Sequence, residues 1–227
     1  MVIAGNSFLA EWFSRFCKRV EILPTAVDTN RFHPATREST QPAVIGWSGT
    51  SVNFRFLQEL EPALRKVLQE RPDARLAICA DRPPNFLSLP MDRVDFIPWS
   101  PAIEVSFIQS LAIGLMPLTD GEWARGKCSY KMLLYLACGV PAVVSPVGMN
   151  QEILAAGSVG LAASDEREWV SAMVDLLDDA ADRRCRGENG RRLVVEKFSV
   201  DVVARHLSEF LKQAAAGSYG SNGSCVA

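Results

Sequence analysis

The stretch IGLMPLTDGEWARGKCSYKMLLYLACGVPAVVSPVGMNQEI, residues 113–153, alternates two kinds of segment. IGLMP (113–117) is a short apolar run. A long polar loop follows, and then SYKMLLYLAC (129–138), whose apolar residues recur with helical period. Gly139 stops that helix. PAVVS (141–145) is a second short apolar run, and the Pro-Val-Gly turn at 146–148 opens a second helix, NQEILAAG (150–157). Strand, helix, strand, helix at this spacing describes βαβ units and a parallel sheet.

The pattern extends outward from this stretch. Upstream, AVIGW (43–47) is a strand and GTSVN (49–53) a turn. FRFLQELEPALRKVLQE (54–70) is helical in period, and Pro62 is expected to kink or restart it. RLAICA (75–80) and VDFIP (94–98) are strands, and PAIEVSFIQS (101–110) is a short helix with Pro101 in its first turn. Downstream, VGLA (159–162) is a last strand. The strands are apolar throughout rather than alternating, so both faces of the sheet are covered. With right-handed crossovers the fold class is α/β, a Rossmann-like doubly wound parallel sheet.

The flanks read differently. VIAG (2–5) is the end of a buried strand. NSFLAEWFSRFCKRV (6–20) is a helix capped by Asn6 or Ser7, with Phe8, Leu9, Trp12, Phe13, Phe16 and Val20 on one face. That face suits packing on a sheet, or less simply a membrane surface. VEIL begins a short strand, and the turn-rich segment 24–42 is a linker. Three helices close the chain: 165–179, then 181–198, whose cluster Arg183, Arg184, Arg186, Arg191 and Arg192 is expected as a solvated face, and 199–216, capped by Ser199. Residues 217–227 have the composition of a flexible tail.

Of the 227 residues, 24 are Lys or Arg and 26 are Asp or Glu, giving a net charge of -2 with no basic stripe. A general nucleic-acid binder is therefore not expected. Cys17, Cys79, Cys128, Cys138, Cys185 and Cys225 contain no C-x-x-C pair, and His33 and His206 stand far apart, so no zinc site is expected. Reduced core thiols, the lack of an 18-residue apolar span and the lack of a signal-peptide pattern point to a soluble, cytoplasmic protein.

In an open parallel sheet, ligands bind beyond the carboxyl ends of the strands. Those ends carry Gly49 and Thr50, then Asp81, Trp99, the loop with Asp120 and Glu122, and Gly148, Asn150 and Glu152. All are expected on one rim. Gly49-Thr50 precedes a helix and can take an anion, although a plain strand-to-helix turn has the same composition. Lys127 and Lys131 are sharper. Four residues apart at a helix N-terminus, they would share a face where the macrodipole is already positive. Two solvated lysines are the bland explanation; a bound phosphate or diphosphate reverses the cost. Asp120 and Glu122 can accept sugar hydroxyls, or be solvated loop acids. Asn150 can cap the helix that follows, and Glu152 in its first turn is favoured by the dipole in any case. No D-x-D, carboxylate cluster or catalytic triad is visible.

Together ILPTAVDTNRFHP (22–34), IGWSGT (45–50), residues 113–153 and FSVDVVARHL (198–207) resemble the group 1 (GT4-type) glycosyltransferases of the GT-B fold. The resemblance runs to about Lys212 and is most specific over 113–153. It implies the C-terminal, donor-binding half: 1–23 as the last strand and helix of an N-terminal acceptor domain, 24–42 as linker, 43–198 as the nucleotide-sugar domain, and 199–216 as the helix that crosses back. It implies a hexosyltransferase that retains anomeric configuration, uses no metal or other cofactor, and takes a nucleotide-diphosphate sugar as donor. The diphosphate would rest on Gly49, Thr50, Lys127 and Lys131, with Asp81, Trp99, Asp120, Glu122, Gly148, Asn150 and Glu152 as weaker candidates for sugar or nucleotide.

The chain departs from the family pattern where Gly126 and Leu134 occupy the two positions of the usual E-x7-E pair, and resembles a subgroup with G-K-C-x-x-K. Almost all of an N-terminal domain is missing, so the chain is expected to be a truncated fragment, inactive alone. The alternatives are a non-catalytic nucleotide-sugar module, or an α/β interaction domain presenting Trp12 and Phe13.

Overall fold

The computed structural model describes residues 1–36 and 43–219. Its centre is a six-stranded, wholly parallel sheet. After a small unit of β1 (Val2–Ala4), α1 (Ser7–Ser14) and β2 (Val20–Ile22), the chain forms β3 (Val44–Ser48), α2 (Phe54–Glu70), β4 (Arg75–Ala80) and β5 (Val94–Pro98). It then runs through α3 (Glu104–Gln109), β6 (Ile113–Met116), α4 (Glu122–Arg125), α5 (Tyr130–Ala137), β7 (Ala142–Val144), α6 (Met149–Ala155) and β8 (Gly160–Ala162). Helices α7 (Glu166–Asp178), α8 (Ala180–Lys197) and α9 (Val200–Tyr219) complete it. The strand order is β5-β4-β3-β6-β7-β8, so the chain grows one way from β3 and then returns to grow the other way from β6. That is the doubly wound arrangement, with its switch point between β3 and β6.

Consecutive strand residues feed opposite faces, as the two-residue period requires. Leu76, Ile78 and Ala80 join Ile45, Trp47, Ile113 and Leu115 beneath α2 and α7. Ala77 and Cys79 join Met116, Ala142 and Val144 beneath α3, α5 and α8. At the switch point the register pairs Gly46 with Gly114. Neither position has room for a side chain: a Cβ at Gly46 would lie 2.2 Å from Leu111 Cδ2, and one at Gly114 would lie 2.4 Å from the Tyr135 ring. Tyr135 uses that space. Its buried hydroxyl accepts from the Ser48 N–H at 3.0 Å and donates to the Leu115 carbonyl at 3.3 Å, tying α5 to the ends of both central strands.

Several local expectations need revision. Pro62 neither kinks nor restarts α2, which runs unbroken through it. Pro101 lies before α3 rather than in its first turn. The first helix stops at Ser14, and Val20 belongs to β2, so the proposed six-residue face divides between a helix, a loop and a strand. Phe8, Leu9 and Phe13 are half-buried, while Trp12 and Phe16 are 46% and 72% exposed. The last helix continues through residues 217–219, placed in the tail from composition, and residues 220–227 lie outside the described residues. Its Gln213 receives a 2.6 Å hydrogen bond from Arg19 of the small N-terminal unit. Among the described residues no helix is long and apolar enough to cross a membrane. The five described cysteines are free thiols, and burial pushes Cys79 up to about 11 and Cys138 up to about 12.

The segment 24–36 is docked rather than loose. Val27 bridges the junction before α9, donating to the Phe198 carbonyl and accepting from Val200. Phe32 is buried in the core beneath α5 and α8. The arginines of α8 explain why. Arg191 donates to the carbonyls of Phe32 (2.7 Å), Ala137 (3.0 Å) and Thr29 (3.0 Å). Arg183 binds the carbonyls of Leu176 and Leu177, and Arg186 that of Gly160. Three of the five arginines expected as a solvated face therefore cap peptide groups of neighbouring elements.

Two outcomes follow. Arg191→Met should lower unfolding free energy by about 3 kcal/mol, because three carbonyls lose a charged donor, and trypsin should then cut at Arg31; a urea titration and a timed digest check both. Tyr135→Phe should cost about 2 kcal/mol, the price of leaving Ser48 N–H and Leu115 C=O buried without a partner, measured by the same titration.

Candidate functional site

Beyond the ends of β3, β4 and β5 lies a cleft of about 270 Å³. Gly49, Thr50, Asp81, Trp99 and Lys131 line it, so five of the residues selected from sequence meet here. Its far wall is Glu104 and Ile108 from α3 and Tyr130, Leu134 and Tyr135 from α5.

The glycine at 49 is a matter of space. A Cβ there would lie 2.6 Å from the Trp47 ring and 2.7 Å from Lys131 Cε, so the lysine stem crosses over the backbone at that point. The loop offers few free amides. Gly49 N–H donates to the Cys79 carbonyl, and Ser51 N–H and hydroxyl both donate to Asp81. Of the first three loop amides, only that of Thr50 has no partner among the described residues. Asp81 is thus a brace for the loop. The Ser51 backbone N–H, then its hydroxyl, hold the carboxyl below the usual range.

Positive charge at the rim comes from side chains. Lys131 stands in the first turn of α5, its ammonium 5.0 Å from the Trp47 ring centroid. Lys127 lies outside the helix. Ser129 between them takes a left-handed backbone (φ 50°), the one positive-φ non-glycine among the described residues, so the i,i+4 geometry of a continuous helix does not apply. Such strain persists only where the surroundings enforce it. Lys127 instead folds over the Trp123 ring, 3.7 Å from its centroid, and reaches Asn53 Oδ1 at 3.4 Å. Burial pushes Lys131 down to about 8, with the charge of Lys127 adding to the effect. Burial and then the charge of Arg55 push Lys127 down as well. Arg55, in the first turn of α2, packs its guanidinium 5.6 Å from the centroid of the same Trp123 ring. Among the described residues none of the three forms an ion pair. Of the three only Lys131 lines the cleft, which also carries Asp81 and Glu104; Lys127 and Arg55 stand beside it, and both lysines are partly desolvated.

The other candidates fall elsewhere. Asp120 lines a second cleft, of about 450 Å³, between α2 and α7, and Arg125 pairs with it at 2.7 Å and holds its carboxyl low. Glu122 opens α4 on the exposed surface and lines neither cleft. Asn150 does not cap α6: Gly148 is the cap position, and Asn150 is buried inside the helix, donating to the Ser145 carbonyl at 3.0 Å. Glu152 accepts from the Ser7 hydroxyl of the N-terminal unit. Gly148 (φ 55°) packs on the backbone of Arg125, whose carbonyl would lie 2.8 Å from a Cβ there. The single expected rim is therefore two clefts. Loops after β3, β4 and β5 open toward α3 and α5; those after β6 and β7 open toward α2 and α7.

Residues that the sequence did not single out include Glu104, whose carboxylate accepts from Arg31 at 3.0 Å and from the Trp99 indole at 3.3 Å. Arg55 carried the signal used for Lys131, a cation in a helix's first turn. Tyr130 and Trp123 carried none.

Residues 43–179 match the family of glycosyl transferases group 1. Over 212 residues the chain is 26% identical to a GDP-mannose-dependent monoacylated alpha-(1-6)-phosphatidylinositol monomannoside mannosyltransferase of Corynebacterium glutamicum, covering 85% of this chain and 56% of that protein. The crystal structure of Anabaena HepE in complex with UDP and glucose superposes with a TM-score of 0.75 at 15% identity, over 93% of this chain and 62% of HepE. The C-terminal domain of a group 1 glycosyl transferase, LpcC of Francisella tularensis, superposes with a TM-score of 0.59 at 18% identity, over 77% of this chain and all of that domain. The chain thus spans little more than half of the mannosyltransferase it matches. With more than half of its residues inside the family match and the doubly wound sheet in place, the chain belongs to the group 1 glycosyl transferases.

Proposed function

We propose that this chain supplies the donor side of a retaining glycosyltransferase. It binds a nucleotide-diphosphate sugar in the 270 Å³ cleft, with Lys131 and Gly49-Thr50, which line it, and Lys127, which stands beside it, against the diphosphate. The observation that carries this reading is the cationic cluster: Lys127 and Arg55 share the Trp123 ring, Lys131 rests on Trp47, and among the described residues none of the three is ion-paired. Unfavourable by itself, that arrangement becomes favourable when two to three negative charges enter. Trp99, Tyr130 and the aliphatic edge of Leu134 give the adjoining cleft the apolar walls and few polar groups that suit a nucleoside. Family membership supports sugar transfer, and HepE was crystallised with UDP and glucose. Residues 1–23 then end an acceptor-binding unit, α9 crosses back to it, and transfer proceeds without a metal. The chain's own residues would hold and orient the donor; the transfer itself would be completed by the acceptor-binding unit.

Calorimetry with UDP, GDP and ADP in EDTA tests the reading. One diphosphate should bind, and Lys127→Ala/Lys131→Ala should lose about 2 kcal/mol or more, roughly thirtyfold in affinity, as charged hydrogen bonds require. Equal binding by the double variant, or none by the wild type, would sink it.

The same site sets a pH dependence. Lys131 binds an anion as an ammonium ion, and in the free protein it loses its proton near pH 8. Affinity should rise toward about pH 7 as the terminal phosphate ionises, and fall as pH rises past about 8. Lys131→Arg, always charged, should abolish that fall. Stability runs the other way. The folded value lies below the unfolded one, so the charged lysine costs stability below about pH 8, and the cost is relieved as pH rises from there toward the ordinary lysine range.

A further inference from the structure

Asn6 caps α1 by accepting from the Leu9 N–H at 2.9 Å. A cap needs only that acceptor, and serine, threonine or aspartate supply it equally well. The Asn6 amide does more. Its Nδ2 donates to the Arg125 carbonyl and to the Lys127 carbonyl, each at 3.0 Å, across 119 and 121 residues of sequence. Both N–H groups of the carboxamide and its oxygen are therefore used, in a side chain 2% exposed.

The surrounding contacts point to the same segment. A Cβ on Gly5 would lie 2.5 Å from Cys128 Sγ, and Leu9 Cδ2 lies 3.6 Å from where Gly126 would carry one. The Ser7 hydroxyl meets Glu152 in the first turn of the neighbouring helix α6. The turn between β1 and α1 and the first turn of α1 thus meet the stretch from Arg125 to Cys128 through Gly5, Asn6 and Leu9. That stretch fixes where Lys127 leaves the chain and how the strained Ser129 turn enters α5.

We propose that Asn6 is a positioning residue for the cationic rim: its two amide N–H groups hold the backbone of Lys127, so that the small N-terminal unit sets the geometry in which Lys127 and Lys131 receive a diphosphate. The diphosphate part rests on the nucleotide-binding reading above; the holding of the lysine segment does not. No natural side chain of similar length offers both the cap acceptor and two donors. Serine at position 6 keeps the cap and loses both donors to the carbonyls, which separates the two roles.

The test is Asn6→Ser in the 227-residue chain, compared with wild type in three measurements. Melting should shift by no more than a few degrees, since the cap survives. Without ligand, amide hydrogen exchange at Lys127 should speed up about tenfold as its segment loosens. The NMR titration midpoint of Lys131, expected at about 8 in the wild type, should move upward as Lys127 leaves its vicinity. Affinity for inorganic pyrophosphate should fall about tenfold.

Unchanged exchange and an unchanged midpoint would overturn the proposal. So would a melting temperature lower by about 10 °C or more, which would make Asn6 a purely structural tie, or a loosened segment with undiminished pyrophosphate affinity. If the wild type binds neither pyrophosphate nor a nucleoside diphosphate, the nucleotide reading fails on its own account, and exchange and midpoint still decide whether Asn6 holds the lysines.

Discussion

The structure turns on one hydroxyl group. Where β3 and β6 diverge, the parallel ladder between them ends, and Ser48 N–H and Leu115 C=O are left facing a dry interior. Unpartnered, each would cost a desolvation penalty of about 1–3 kcal/mol. The Tyr135 hydroxyl serves both. It can do so because Gly114 leaves space for the ring. The consequence travels one turn along α5. With Tyr135 anchored, Lys131 is fixed above Gly49, and the cationic rim stands where the two halves of the sheet part company.

That rim is held under electrostatic tension. Lys127 and Arg55 lean on the Trp123 ring and Lys131 on Trp47, and cation–π contact supplies part of what water would have given them. Aromatic rings do not neutralise charge, however, and the depressed values of both lysines record the remaining strain. The carboxylates nearby are otherwise engaged. Asp81 braces the loop after β3, and Glu104 is tied to Arg31 and Trp99. Among the described residues the cations are therefore left unpaired, and the proposed diphosphate site rests on that.

Arginine plays a different part on the back of the domain. On α8 the guanidinium groups of Arg183, Arg186 and Arg191 reach carbonyl groups at the ends of other elements and along the segment 24–36. Each donor satisfies peptide groups that helix ends and irregular chain leave open. The small N-terminal unit is bound to the body through the cap of α1 and through Arg19 and Gln213, and Trp12 and Phe16 stay exposed.

The sequence by itself determined the sheet. Runs such as RLAICA and PAVVS announce strands covered on both faces, Gly139 (φ 73°) ends α5 where its lack of a side chain predicts, and a cation in a first turn marks Lys131 as a residue without a local reason to be there. These are properties of neighbours along the chain, which periodicity and helix-end chemistry report directly. What only the tertiary structure decided depends on partners far away in sequence. Ser129 turns left-handed and takes Lys127 off the helix; Asn150 goes inward instead of capping; Glu152 finds Ser7; the arginines of α8 find carbonyls rather than water. The expected single rim became two clefts because a sheet has two faces, and which loop opens toward which face is set by strand order. Asn6 looks like any helix cap until the chain brings Arg125 and Lys127 beneath it, because a hydrogen bond across 119 residues has no local period to reveal it.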